Sequence, residues 1–158
     1  MKRIIVYYSL SGNTEEAVNC IAEKLGCDTL KIDTVKPMPK NYAAQLLVGG
    51  GQVVMNKIPE IKPIDKDLSV YDEIFIGTPI WNSQGVPAVN AFLKDMDIKG
   101  KVTGLIITSG GGNIDKCVKL LEEKVPNVKY KVSLLDRKHK EHNLNEAKID
   151  SFVKEVEA

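Results

Sequence analysis

Six consecutive residues, Ser9-Leu10-Ser11-Gly12-Asn13-Thr14, gather small hydrogen-bonding groups around one glycine. Three hydroxyls and an amide offer uncharged donors, and Gly12 removes the Cβ that would hold a ligand off the backbone. The preceding residues, Lys2 to Tyr8, are β-branched and aromatic and read as a buried strand. The following residues, Glu15 to Leu25, carry apolar side chains at 17, 18, 21, 22 and 25, which is helical spacing. A turn from the C-end of a strand to the N-end of a helix is where open α/β sheets bind ligands. The unpaired N–H groups and partial positive charge of a helix start hold anions. The chemistry expected here is capture of a terminal phosphate that is bound rather than transferred. The same residues also satisfy a plain helix N-cap, with Ser11 ahead of Thr14 and Glu15. Capping needs one such residue, and this turn clusters four polar residues around its Gly.

Several kinds of phosphate site are excluded. A nucleotide-hydrolysing loop needs a Lys after its Gly, and a dinucleotide-binding turn needs three spaced glycines. A tyrosine-phosphatase loop needs a Cys and an Arg, and a receiver domain needs acidic strand ends. None of these is present.

Two further stretches carry ligand chemistry. Thr78-Pro79-Ile80-Trp81-Asn82-Ser83-Gln84-Gly85 holds the chain's only Trp. A Trp after a strand end can stack on a flat ring, contributing roughly 0.5–1.5 kcal/mol beyond area burial. A core Trp is the other reading, but the polar residues 82 to 84 argue against full burial. Ser109-Gly110-Gly111-Gly112-Asn113 exposes backbone N–H and C=O groups suited to the edge of a heterocycle. It is equally a flexible loop whose Asn113 caps a helix. Phosphate hook, aromatic plate and polar rim together fit FMN.

The elements that must position these loops alternate. Cys27 to Ile32 is expected as the second strand, after the helix stop Gly26. Tyr42 to Val48 looks helical, but Gly49-Gly50-Gly51 should weaken a helix by about 1 kcal/mol each. The glycines mark a helix end, a close helix packing or a ligand loop, within a segment running to Asn56. Ile58 to Leu68, with Pro59 and Pro63, reads as extended loop. Tyr71 to Gly77 is the third strand, and Val86 to Met96 is a helix with Pro87 in its first turn. Val102 to Thr108 is the fourth strand, Ile114 to Val125 a helix ended by Pro126, and Val128 to Leu135 the fifth strand. Asn143 or Asn145 caps a last helix whose Ile149, Phe152, Val153 and Val156 share one face. Five strands alternating with helices predict an α/β, doubly wound three-layer sandwich. Its five-stranded parallel sheet should have the order 2-1-3-4-5, with the three loops on one edge.

The 158 residues suit one domain, 1–158. With 27% charged and 43% hydrophobic residues and a net charge of +1, nothing suggests nucleic-acid binding. No apolar run approaches the ~20 residues of a membrane span. The chain starts directly into a strand, and its three cysteines lack metal-ligand spacing, so no metal and a cytoplasmic location are expected.

Ser9 to Thr14 resembles the T/S-x-T/S-G-N-T signature of the flavodoxin family, directly after the first strand. Gly77 to Trp81 resembles that family's second flavin loop, and Ser109 to Asn113 matches its third in place but not in detail. The resemblance spans essentially the whole chain and is to the short form of the family. It implies a flavodoxin-like fold and FMN-based electron transfer, with a redox partner protein or a small-molecule acceptor. The flavin contacts it implies are Ser9, Leu10, Ser11, Gly12, Asn13 and Thr14; Thr78, Pro79, Ile80, Trp81 and Asn82; and Ser109, Gly110, Gly111 and Gly112. Many members place Gly after this Trp, where a peptide turns toward the reduced flavin. Asn82 stands there instead and implies weaker stabilisation of the one-electron-reduced state.

The third loop lacks the Tyr that usually covers the outer flavin face. That face is left open to a nicotinamide or quinone, which supports a second reading as an NAD(P)H-dependent reductase. A non-redox phosphate or nucleotide binder is a third. No catalytic acid or base is assigned; His139 and His142 fall in a polar turn. The basic turn Arg137-Lys138-His139-Lys140 is read as a solvated surface or as an attractor of anionic partners.

Overall fold

A computed structural model of the chain describes residues 1–55, 57–95 and 97–158. Asn56 and Met96, each at the end of a segment discussed above, lie outside the described residues. The strands are β1 (Arg3–Tyr7), β2 (Asp28–Lys31), β3 (Glu73–Trp81), β4 (Gln84–Gly85), β5 (Val102–Ser109) and β6 (Tyr130–Leu135). The helices are α1 (Asn13–Leu25), α2 (Tyr42–Val54), α3 (Pro87–Asp95), α4 (Asp115–Glu122) and α5 (Asn145–Glu157). The sheet runs β2-β1-β3-β5-β6, all parallel, and β4 pairs antiparallel with the end of β3. Leaving β4 aside, this is the order expected from the alternation.

Period-two alternation divides the core. Ile4, Val6, Ile74, Ile76, Leu105 and Ile107 face one side of the sheet, against Val89, Phe92 and Leu93 of α3 and Cys117 and Leu121 of α4. Ile5, Tyr7, Phe75, Ile106 and Leu134 face the other, against Val18 and Ile21 of α1 and Ile149, Phe152 and Val153 of α5. Burying both faces accounts for the near-continuous apolar character of β1, β3 and β5. β3 also packs tightly on α1. A Cβ added at Gly77 would lie 2.7 Å from Tyr7 Cβ and 2.8 Å from Val18 Cγ2, so only glycine fits.

The structure corrects four local expectations. The triple glycine does not end α2, which runs unbroken from Tyr42 to Val54 behind an Asn41 cap accepting from Ala43 and Ala44 N–H. Residues 78 to 85 are not an open loop. β3 continues to Trp81 and reverses into β4 through Asn82 and Ser83, at φ 50° and 61°. A two-residue connection with positive φ at both positions is a type I′ hairpin, whose twist matches the strands it joins. α4 ends at Glu122 rather than Val125. Neither Asn143 nor Asn145 caps α5. The Asn145 side chain braces the end of β6 instead, accepting from Leu135 N at 2.8 Å and donating to Leu135 O at 2.8 Å.

Candidate functional site

The C-ends of β1, β3 and β5 open on one edge, and their loops meet around a cavity of about 560 Å³. That lies within the roughly 300–1,000 Å³ of small-molecule sites. Of the residues implicated by sequence, Leu10, Ser11, Asn13, Thr14, Pro79, Ile80, Trp81, Asn82, Ser109 and Gly110 line it. Ser9, Gly12, Thr78, Gly111 and Gly112 do not line it.

Each exception has a local cause. Ser9 Oγ accepts from Glu15 N at 3.2 Å, so Ser9 rather than Ser11 satisfies one N–H of the first turn of α1. Gly12 shapes the loop at φ 89°, a left-handed conformation that favours glycine. Thr78 is fully buried and its hydroxyl donates to Pro79 O at 2.8 Å. Gly111 adopts φ 105°, and a Cβ added there would lie 2.9 Å from His139 Nε2. Gly112 packs against Ile80.

The first backbone N–H groups of α1, those of Asn13 and Thr14, have no partner among the described residues, and neither has Gly12 N–H; the helix has no side-chain N-cap. Asn13 Nδ2 donates to Ser11 Oγ at 3.0 Å. Thr14 is buried, its hydroxyl paired with that of Thr108 at 2.8 Å, which ties the loop to β5. Trp81, which also lines the cavity, is half-buried and meets Tyr8 edge-on, with ring centroids 5.8 Å apart.

Sequence reasoning offered only the glycines of one wall, as one of three readings, and missed its side chains. Gln45, Leu46, Gly49, Gly50 and Val54 of α2 line the cavity. Gly49 lets the helix approach Trp81: a Cβ there would lie 3.2 Å from Trp81 Cε3 and 3.3 Å from Cζ3. Close packing is therefore the physical reason for Gly49, while Gly50 and Gly51 have nothing within 4 Å of an added Cβ. Thr108 and Asp136 also line the cavity. Burial holds the Asp136 carboxyl above its ordinary range, against the smaller opposing pull of His142, Arg137 and His139. Asp136 follows the last strand on the ligand-binding edge, a position that the predicted topology already marked. The basic turn is solvated at Arg137, Lys138 and Lys140, as one of the two sequence readings had it, yet the exposed Arg137 also hydrogen-bonds the loop after β1.

The cysteines take no part in this cavity. Cys117 is fully buried, and burial pushes its thiol up to about 11. Among the described residues no group of His, Cys, Asp and Glu is arranged to hold a metal ion. No helix there is long and apolar enough to cross a membrane.

A doubly wound parallel sheet whose loops after β1, β3 and β5 meet at one cavity lined by Trp81 has the architecture of a flavodoxin-type protein. The flavodoxin family profile matches residues 2–156, and the chain belongs to that family. Solved structures agree in fold. A candidate flavoprotein from Bacteroides eggerthii shares 26% identity over 96% of this chain and 97% of its own, with TM-score 0.72. A flavoprotein from Lactobacillus acidophilus, solved in complex with FMN, shares 21% identity over 96% and 97%, with TM-score 0.71. A WrbA-like flavodoxin from Agrobacterium tumefaciens shares 16% identity over 99% and 97%, with TM-score 0.62.

FMN is the cofactor of this family, and the residues present suit it. Asn13 and Thr14, whose N–H groups are unengaged among the described residues, line the cavity together with aromatic Trp81, aliphatic Ile80 and Leu46, and Gly110 of the loop after β5.

Proposed function

We propose that the chain is a redox protein that passes electrons through a non-covalently held FMN, exchanging them with a partner protein. The observation supporting this reading is the convergence of three loops on one cavity, lined by Asn13 and Thr14, whose N–H groups are unengaged among the described residues. In this reading the Ser9–Thr14 loop binds the phosphate and Trp81 flanks the ring. Backbone groups of Ser109 and Gly110 meet the ring's polar edge. Leu46 and Val54 of α2, both exposed, offer apolar surface to the ring. FMN supplies the electron chemistry, and the chain's residues bind, orient and shield it. No side chain is assigned a proton-transfer role. A cytoplasmic site of action accompanies this reading.

A second reading is an NAD(P)H-dependent reductase acting on a quinone or other small acceptor. Two observations favour it. Gly110, Gly111 and Gly112 place no stacking side chain beside the cavity, and the net charge of +1 gives little steering toward a basic partner. Anaerobic mixing of the FMN-loaded protein with NADH or NADPH separates the two. A carrier leaves the flavin absorbance unchanged until dithionite or a reductase is added. A reductase bleaches it at catalytic rates.

A further inference from the structure

Arg137 lies 126 positions from Ser11 in sequence and touches it in space. Its Nη2 donates to Ser11 O at 2.9 Å. Its backbone N and its Nε both donate to Asn13 Oδ1, at 3.1 and 3.2 Å. The guanidinium therefore spans Gly12 from one side to the other. A Cβ at Gly12 would lie 3.2 Å from Nη2, so the glycine admits this contact as well as the left-handed turn.

Two donors converging on one atom of Asn13 identify that atom as oxygen, because the flipped amide would set N–H groups against each other. Nδ2 is then committed to the side of Ser11 Oγ, 3.0 Å away, and both residues line the cavity. Charge delivery is a weaker account of Arg137. Glu16 Oε2 lies 3.4 Å from its Nε, and Glu16 Oε1 lies 3.7 Å from His142 Nε2. The carboxylate offsets part of the guanidinium's charge.

We propose that Arg137 is a positioning residue for phosphate recognition. By clamping the Ser11 carbonyl and Asn13 Oδ1, it sets the curvature of the loop and turns the Asn13 N–H groups toward the bound phosphate. Arg137 thereby contributes to selection of phosphorylated flavin over the same flavin without phosphate. The inference rests on the FMN reading above and assigns part of that site's specificity to the turn after β6.

The test titrates apo-protein with FMN and with riboflavin, which lacks the phosphate, following flavin fluorescence. Arg137→Ala should weaken FMN about ten-fold, the scale of one strong hydrogen bond. Riboflavin affinity should change less than about two-fold. Arg137→Lys should not restore FMN binding, because an ammonium cannot bridge both acceptors as the planar fork does. In an Asn13→Ala background the further loss from Arg137→Ala should shrink below about three-fold, since coupled residues are non-additive. Inorganic phosphate should protect apo wild type against thermal unfolding more than apo Arg137→Ala.

Full rescue by Lys, or the same loss in both backgrounds, would overturn positioning in favour of charge. Equal loss of FMN and riboflavin would overturn it in favour of general disorder. Should Arg137→Ala not fold, Arg137→Lys and the phosphate-protection assay on it carry the decision. If wild type binds neither flavin, the FMN reading itself fails; if wild type binds FMN and Arg137→Ala matches it, only this inference fails.

Discussion

Alanine substitution of Gly49, Gly50 and Gly51 makes one chemical change in three different surroundings. Each glycine costs α2 about 0.5–1 kcal/mol relative to alanine, through the backbone entropy lost on folding. At Gly50 and Gly51 the added Cβ meets nothing within 4 Å, so that gain should appear in full. At Gly49 the methyl would sit 3.2 and 3.3 Å from Trp81 Cε3 and Cζ3 and 3.5 Å from Met38 Cε. Crowding of this kind costs roughly 1–3 kcal/mol where packing cannot yield. Gly49→Ala should therefore come out between neutral and about 2 kcal/mol destabilising. For a chain of this size 1 kcal/mol moves Tm by roughly 2–4 °C. The assay is denaturant and thermal unfolding of the apo-protein, with emission from the single Trp reporting on the contact itself. Gly50→Ala and Gly51→Ala should raise Tm with unchanged Trp81 emission, while Gly49→Ala should lower or hold Tm and shift that emission. Equal stabilisation by all three, with unaltered emission, would refute close packing as the reason for Gly49.

Two further outcomes follow from buried polar groups. Thr108→Val should cost about 1–3 kcal/mol in unfolding titrations, because it leaves the Thr14 hydroxyl unpaired; adding Thr14→Val should recover most of that loss. Asp136→Asn should stabilise the apo-protein at pH 7 and not at pH 3, read from Tm across pH. Burial raises the folded-state pKa of Asp136, so its relative stabilisation is present below the ordinary carboxyl range and is lost as pH rises through the raised value. A benefit from Asn that is equal at both pH values would contradict this.

The alternation of strands and helices was legible because both sheet faces are buried, which writes β1, β3 and β5 as nearly unbroken apolar runs. The Ser9–Thr14 turn was legible because its chemistry is local to six residues. At the glycines of α2 the sequence left a helix end, close packing and a ligand loop open, because helix propensity is a local quantity; the packing of Gly49 answers to Trp81, which lies in β3. The Asn82–Ser83 hairpin carries no Asn-Gly signal, and its two positive-φ residues hold the turn by pairing Ile80–Trp81 with Gln84–Gly85. Asn145 looked like a cap because Asn favours helix starts; the free backbone of Leu135 claimed its amide. The clamp of Arg137 on Ser11 and Asn13 joins residues 126 and 124 positions apart, and no local pattern encodes it.

The central claim is that the first crossover grips a flavin phosphate while Trp81 borders the ring. Titrating apo-protein into FMN, with flavin and Trp81 fluorescence recorded together, tests it directly. The account predicts saturable quenching of both signals at one flavin per chain, and competition by inorganic phosphate. Unchanged flavin emission and unchanged Trp81 emission at saturating protein would contradict it.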